Sequence, residues 1–492
     1  MKKKLKQANE YYERQDFLKA YDIYKELARD NIADFKSSYR AGQCLFYLNK
    51  RDSLTLLYFL LSSAEVTEAH YYIGRIYHIN NNLYDALNEF LFLKPKYNEE
   101  MEIPLQEIEH WIGVCKRSIE QSLNKQNNLI RNLGPAVNTA FPEYAPILPN
   151  NESLLVFTSR REGSTGGEKD PYGNFFEDIY YCTKTDSGWS KASNFGNKIN
   201  TKTHDATVAF TPDSNALIIY RTDIPQTGGD LYISRQKENE WKEPVLLNKK
   251  INSEFLESSA CFSPDGDVII FSSNRPGGFG GKDLYKVRKF SEEIYSLPQN
   301  LGPEINTPND EDAPFLNSDG SVLFFSSNGH NTIGGYDIFK TEFNHNTGKC
   351  GLAVNMGVPV NSTGDDIFFI LKKDNITGYL SSNRTGGYGN TDIYEVGIEN
   401  SPETYMVVKG SITINTNQVA DLVKLQITLT EPSGKINGIY KLKKNYNTFI
   451  LVVDKKIEYK IVVEGPEIDP LVKTMKFESD EIEFTVKKKV NR

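Results

Sequence analysis

The sequence predicts a multidomain chain of α plus all-β class: a helical array over 1–127, a five-bladed β-propeller over 128–400 and a small C-terminal β-sandwich over 403–492. Three observations carry this. Apolar pairs at helical spacing, broken by short Asn- and Asp-containing stretches, fill the first quarter of the chain. A strand–turn–strand pattern then recurs at a fixed period. After Ser401-Pro402 the pattern changes to short alternating strands. A length of 492 residues is too great for one core and agrees with about three domains.

In the first segment a small residue inside an aromatic frame recurs: Ala8 with Tyr11, Gly42 with Leu45, Gly74 with Tyr77. Their second-helix counterparts are Ala20 and Tyr24, Leu54 and Tyr58, Ala86 and Phe90. The steps from Ala8 to Gly42 to Gly74, about 34 and 32 residues, have the tetratricopeptide (TPR) period. A longer amphipathic helix near Leu105–Leu123 caps the array. In such arrays the first helix of each pair lines the concave face. That places Asn9, Tyr12, Tyr39, Gln43, Tyr47, Tyr71, Arg75 and His78 in a partner-binding groove, although several of these Tyr residues also suit packing between helices. Tyr and Arg combine area with directional hydrogen bonds and dominate interaction hot spots.

The propeller is read from the stretch Asn252–Tyr285. It runs through Phe262-Ser263-Pro264-Asp265-Gly266, Phe271-Ser272-Ser273-Asn274-Arg275 and Gly281-Lys282-Asp283-Leu284-Tyr285. Asp-Gly between apolar runs is a hairpin signal, because Gly accepts the positive φ of the turn. The Asp that opens the third strand recurs as Asp178, Asp230, Asp283, Asp337 and Asp392, in steps of about 52, 53, 54 and 55 residues. The Asn that opens each copy is Asn138, Asn200, Asn252, Asn306 and Asn361. The first copy is preceded by an orphan outer segment, and the last copy lacks one. The segment near Leu129–Val137 is therefore expected to complete the last blade and latch five blades shut, leaving no terminal edge unpaired. Six blades require a degenerate unit hidden in the long first spacing.

Five residues after each opening Asn stands a carboxylate: Glu143, Asp205, Glu257, Glu311 and Asp366. Gathered like charges need an Arg, a backbone amide or a cation. Arg161, Arg275 and Arg384 match in three copies and two copies lack one, so internal pairing stands beside a ligand or Ca²⁺ site at the channel mouth. Ser272–Arg275 and Ser381–Arg384 are expected to satisfy carbonyls of the Gly-rich loops. Sugar-cleaving propellers use two carboxylates in unlike environments, whereas one repeated in every copy fits a structural role. No Gly-x-Ser-x-Gly elbow and no phosphate loop occurs, and the six histidines show no ligand spacing. The expectation is no enzyme, no metal and no cofactor.

The last segment alternates apolar and polar residues over Met406–Ile414, Val423–Thr430, Thr448–Val453, Tyr459–Val463 and Ile482–Val486, which suits a sandwich. A net charge of −8 gives no reason to expect nucleic acid as a partner. The five cysteines are scattered and read as isolated buried thiols. No run approaches a membrane span. Met1-Lys2-Lys3-Lys4 resembles the basic start of a secretory signal, but Lys6-Gln7-Ala8-Asn9-Glu10 follows in place of an apolar stretch. A cytoplasmic chain and one whose leader has been removed both stay open.

The order of modules resembles a family of Bacteroidota cell-envelope proteins with TPR, TolB/WD-like propeller and carboxypeptidase regulatory-like domains, the PorE-like type associated with type IX secretion. The propeller motifs quoted above carry that resemblance, together with Val408-Lys409-Gly410 and Tyr459–Gly465 in the last module. It implies a periplasmic, outer-membrane-associated scaffold whose partners are proteins of the envelope or secretion machinery. The family's lipoprotein signal and its OmpA-like domain are not visible in this sequence, so peptidoglycan binding is not carried over to any residue. The rival expectation is a glycan-binding or carbohydrate-active propeller that uses the repeated acidic residues.

Overall fold

The computed structural model describes residues 2–489 apart from 32–33, 124–125, 127, 171, 187, 223–227, 239, 399–404, 415–423, 433, 435, 443–446, 455–456, 478 and 480. Its contacts form two compact units, Met1–Glu399 and Asn400–Arg492.

The first unit begins with helices α1 (Lys2–Glu13), α2 (Phe17–Asp30), α3 (Phe35–Tyr47), α4 (Ser53–Ser62), α5 (Ala69–Ile79), α6 (Leu83–Leu93) and α7 (Leu105–Leu123). Asp16, Asp34 and Asp52 start α2, α3 and α4 by accepting hydrogen bonds from backbone N–H groups of the first turn. The small residues of the helical period permit close approach. A Cβ at Gly42 would stand 2.9 Å from Phe59 Cε1, and one at Gly74 would stand 2.8 Å from Phe90 Cζ. The freed space is filled by rings: Phe59 stacks on Tyr72 at 4.7 Å, and Trp111 of α7 packs against Phe90.

Five antiparallel sheets of four or five strands follow. Their inner strands are Glu143–Ile147, Asp205–Phe210, Glu257–Phe262, Glu311–Leu316 and Asp366–Leu371. Each inner strand touches the next, and the last touches the first, so the sheets close into a propeller-like ring. Every inner strand carries a shift of register against its neighbour. In three of them the shift coincides with a positive φ at a residue with a side chain, Ala145, Ala313 and Phe368.

The orphan segment does what its position implies. Leu129–Asn132 pairs antiparallel with Asp392–Gly397, Leu129 opposite Gly397 and Asn132 opposite Tyr394. Its chemistry repeats that of the other sheets. Asn132 donates to Asp392 at 2.7 Å, as Asn194 does to Asp178, Asn300 to Asp283 and Asn355 to Asp337. Asn138 brackets Ile393 by bonding both its N–H and its C=O, as Asn200 brackets Ile179 and Asn306 brackets Leu284. The ring is therefore stitched across its own ends by the same side chains that stitch consecutive sheets.

The helices rest on loops that lead into the ring. Arg117 Nε donates to Thr332 O at 2.8 Å, Ser118 Oγ to Ile333 O at 2.6 Å, and Thr363 Oγ1 to Ile79 O at 3.1 Å.

The second unit holds two sheets around one core that includes Val408, Ile427, Leu451, Tyr459 and Phe484. Tyr405–Ile414 lies between Thr448–Asp454 and, in parallel, Glu481–Val486. The other sheet contains two strands that the period-two pattern does not reveal, Ile436–Lys441 and Leu471–Met475. Both are sheet edges, and the side chains from Leu471 to Met475 are exposed or half-buried, which erases the apolar alternation. Val423, an expected strand start, lies outside the described residues.

Candidate functional site

Three places gather chemistry: the repeated carboxylates, the channel they precede, and a groove among the helices.

Each repeated carboxylate opens an inner strand and is fully buried. Glu143 accepts from Thr139 N at 2.6 Å, Thr139 Oγ1 at 2.7 Å, Ser159 Oγ at 2.8 Å and Arg161 Nη2 at 3.1 Å. Glu257 repeats this set with Ser253, Ser273 and Arg275, and Asp366 accepts from Ser362 and Arg384. These bonds satisfy each carboxylate locally and tie the connection into each sheet to its second strand.

The two copies without an Arg at the matching position differ from each other. Asp205 does have a cation: Arg221 Nε donates to it at 2.6 Å and Arg221 Nη2 to Ile199 O at 2.7 Å. Arg221 is missed by motif comparison because it occupies the position of Ser159, Ser273, Ser327 and Ser382 in the other copies. Glu311 accepts from Thr307 N, Thr307 Oγ1 and Ser327 Oγ, each at 2.7 Å. In place of an Arg, His330 Nε2 reaches only the Ile305 carbonyl, at 2.7 Å. Without a cation beside it, burial pushes the Glu311 carboxyl up to about 7.

The Ser-Ser-Asn-Arg segments act on other partners than the Gly-rich loops expected for them. Ser273 and Arg275 bind Glu257, Arg275 also binds Ile251 O, and Ser272 Oγ donates to Glu311 O of the next sheet. The aspartates that open the third strands hold loop amides: Asp283 accepts from Phe279 N and Gly280 N, and Asp337 from Ile333 N and Gly334 N.

The inner strands of all five sheets line a channel cavity of about 390 Å³. Phe210, Phe262, Phe315 and Phe368 face it beside Thr207 and Ser259, and Glu152 is the one carboxylate among its described lining residues. None of the five repeated carboxylates lines it. Among the described residues no three His, Cys, Asp or Glu side chains are grouped to hold a metal ion, and no helix is long and apolar enough to cross a membrane.

The groove, about 1000 Å³, lies between α1, α2, α3 and the loop carrying Tyr172. Of the eight groove residues expected from sequence, Asn9, Tyr12 and Tyr47 line it. Arg40 and Glu102 close one side as a two-pronged ion pair, Nη2–Oε1 2.7 Å and Nη1–Oε2 3.2 Å, with Arg40 stacked 4.5 Å over the Tyr12 ring. Phe17 joins Tyr12, Tyr47 and Tyr172 into one aromatic surface, with ring centroids 4.9–6.2 Å from Phe17. Tyr47 and Tyr172 stay 39% and 40% exposed at its open side.

The other five go elsewhere. Tyr39, Gln43 and Tyr71 are buried in the packing between helices, so they are not part of the open surface. Gln43 donates to Tyr72 OH at 3.0 Å and accepts from Tyr12 OH at 3.1 Å, and Tyr71 OH bonds Glu107 and Arg75. The tight helix approach at Gly42 and Gly74 turns these side chains into filler. Arg75 and His78 border a small cavity between helices and ring. His78 is buried against Ser118 at 3.1 Å, and burial pushes its pKa down to about 3.

Helical array, propeller-like ring and separate β unit define a multi-module chain with an aromatic groove and a lined channel. No protein-family model and no curated protein sequence matches it. Solved structures resemble parts of it at low identity. Alpha-L-arabinofuranosidase from Lactobacillus brevis is 12% identical over 54% of this chain and 91% of that one, with a TM-score of 0.36. Endo-arabinase from Bacteroides thetaiotaomicron is 13% identical over 56% and 98%, TM-score 0.36. Hydrazine synthase from Kuenenia stuttgartiensis is 13% identical over 51% and 77%, TM-score 0.29. Likenesses this low carry no inference about activity.

Proposed function

We propose that the protein is a non-catalytic scaffold that takes an extended segment of another protein into the groove of its TPR-type array, with a five-bladed propeller as rigid base. The observation that carries this is the Tyr12–Phe17–Tyr47–Tyr172 surface beside the Arg40–Glu102 pair. Large rings that lose little entropy on binding, flanked by a fixed guanidinium, are the chemistry of interaction hot spots. From the sequence resemblance, the partners are cell-envelope or type IX secretion components and the place is the periplasmic side of the outer membrane, as for PorE-like proteins. Affinity capture from native envelope with mass spectrometry tests this. The wild-type chain is expected to retain partners that Tyr12→Ala plus Tyr47→Ala loses, and retention of every partner by the double variant refutes the groove.

A second function, a glycan-binding or carbohydrate-active propeller, is favoured by the phenylalanine-lined channel. Binding fits the channel better than hydrolysis, since Glu152 alone does not make the carboxylate pair that glycosidases use. Thermal-shift screening against glycans tests it. A stabilising glycan whose effect vanishes in Phe262→Ala supports it, and a melting temperature indifferent to every glycan removes it.

A further inference from the structure

Where the helices meet the ring, a cavity of about 40 Å³ is enclosed by Arg51, Arg75 and Trp111 from the array and by Gly335, Gly364 and Asp365 from the ring. A single water needs about 10–15 Å³, so the space exceeds one water.

Arg51 and Arg75 bring two positive charges to it against Asp365 in the lining and Glu107 beside Arg75, and of the two cations Arg51 is the poorly partnered one. Arg51 Nε is buried without a hydrogen-bond partner, and Arg51 Nη2 reaches only the Asn49 side chain, at 3.2 Å. Both guanidiniums lie over Phe46, Arg51 at 5.0 Å and Arg75 at 5.7 Å from the ring centroid, and Arg75 also covers Trp111 at 3.7 Å. The carboxylate of the lining, Asp365, is already engaged by Tyr336 N at 3.1 Å and Asn383 Nδ2 at 2.6 Å. Glu107 stands 4.0 Å from Arg75 and also receives Tyr71 OH and Trp111 Nε1. His78, which borders the same space, is held neutral by burial and adds no negative charge. Burial, and after it the charge of Arg75, lowers the Arg51 pKa more than the charge of Asp365 raises it. Buried charges are otherwise paired.

We propose that this cavity binds one small oxyanion of the phosphate or sulfate class, held between the Arg51 and Arg75 guanidiniums. Arg forks match the oxygen spacing of such anions and desolvate more easily than an ammonium. The site takes side chains from both the array and the ring, so the anion ties the helices to the sheets, and its occupancy sets how firmly the groove is held on its base.

Thermal unfolding and hydrogen exchange of the full chain test this, in inorganic phosphate, sulfate or phosphoserine, with potassium chloride holding ionic strength constant. Phosphate is expected to raise the melting temperature in a saturable way, and Arg51→Gln to weaken the apparent affinity at least tenfold. Arg51→Lys, which keeps charge but loses the fork, falls between them. Binding of phosphoserine as tight as that of phosphate supports the site and identifies the anion as the head of a larger ligand. Binding of the inorganic ions alone supports it as a site for the free anion. On the wild-type chain, phosphate is also expected to slow exchange in peptides spanning Asn49–Ser53 and Thr363–Asp366 and to leave Glu257–Phe262 unchanged, a readout independent of any variant's folding. An unmoved melting temperature with unchanged exchange overturns the proposal, as does an equal shift in wild type and Arg51→Gln.

Discussion

Replacing Glu311 by Gln is expected to stabilise the protein at neutral and alkaline pH and to change little in acid. The side chain is fully buried and, unlike Glu143, Asp205, Glu257 and Asp366, has no guanidinium beside it. Its carboxyl titrates at about 7 against an ordinary 4.5. Between those values the folded state holds a proton that the unfolded state has released, so stability falls as pH rises through this window. At about 1.4 kcal/mol per unit, the accumulated cost above pH 7 is on the order of 3 kcal/mol. A Gln side chain avoids the charge. Its carbonyl accepts from Thr307 N where Oε2 does now, and its amide donates to the Thr307 and Ser327 hydroxyls, whose own protons lose their present acceptor and offset part of the gain. Urea unfolding of the full chain, followed by tryptophan fluorescence from pH 4.5 to 8.5, measures the effect. The stability gap between variant and wild type should open through the window and stay constant above it. The same substitution at Glu257 should have the opposite sign, costing about 1–3 kcal/mol at pH 7 by leaving the half-buried Arg275 without its carboxylate. Parallel pH profiles for wild type and Glu311→Gln would refute the account of an uncompensated carboxylate.

Two further outcomes follow from the packing. Gly74→Ala should cost about 1–3 kcal/mol and lower the melting temperature, because the added methyl meets the fully buried Phe90 ring at 2.8 Å and the ring must shift to admit it. Asn132→Ala should destabilise by about 1–3 kcal/mol, since it strips a partner from Asp392, Gly134 N–H and Asn138 together. Its signature in hydrogen exchange is faster opening of Asp392–Gly397, while Asp283–Arg288, with its own Asn300, keeps wild-type protection.

The ring was legible because its stitching uses side chains that recur. An Asn bracketing a strand residue and an Asp capping loop amides are local devices, so a fixed sequence period carries them into space unchanged. The lone segment before Asn138 could be assigned for the same reason: Asn132 stands to Asn138 as Asn194 stands to Asn200 and Asn300 to Asn306. Helix α7 was legible from its amphipathic pattern. The groove was read less well, because facing direction in a helix pair depends on how closely the backbones approach. Gly42 and Gly74 draw the helices together and bury Tyr39 and Tyr71. Phe17 and Tyr172, which widen the aromatic surface, come from a second helix and from a loop of the ring, and no periodicity links them. Arg221 was hidden because it serves the same carboxylate from a position that Ser occupies elsewhere, an equivalence of reach that a motif does not record.

The latch at Leu129–Asn132 also sets an order of events during synthesis. The strand leaves the ribosome early, yet the residue its Asn grips, Asp392, lies 260 positions downstream. Until that distance has been translated the first sheets carry an open circle, and a nascent chain halted before Gly397 cannot shut it. Closure thus works as a completeness check: only a ribosome that has finished the fifth sheet releases a ring whose last long strand, Asp392–Gly397, is covered against pairing with other chains.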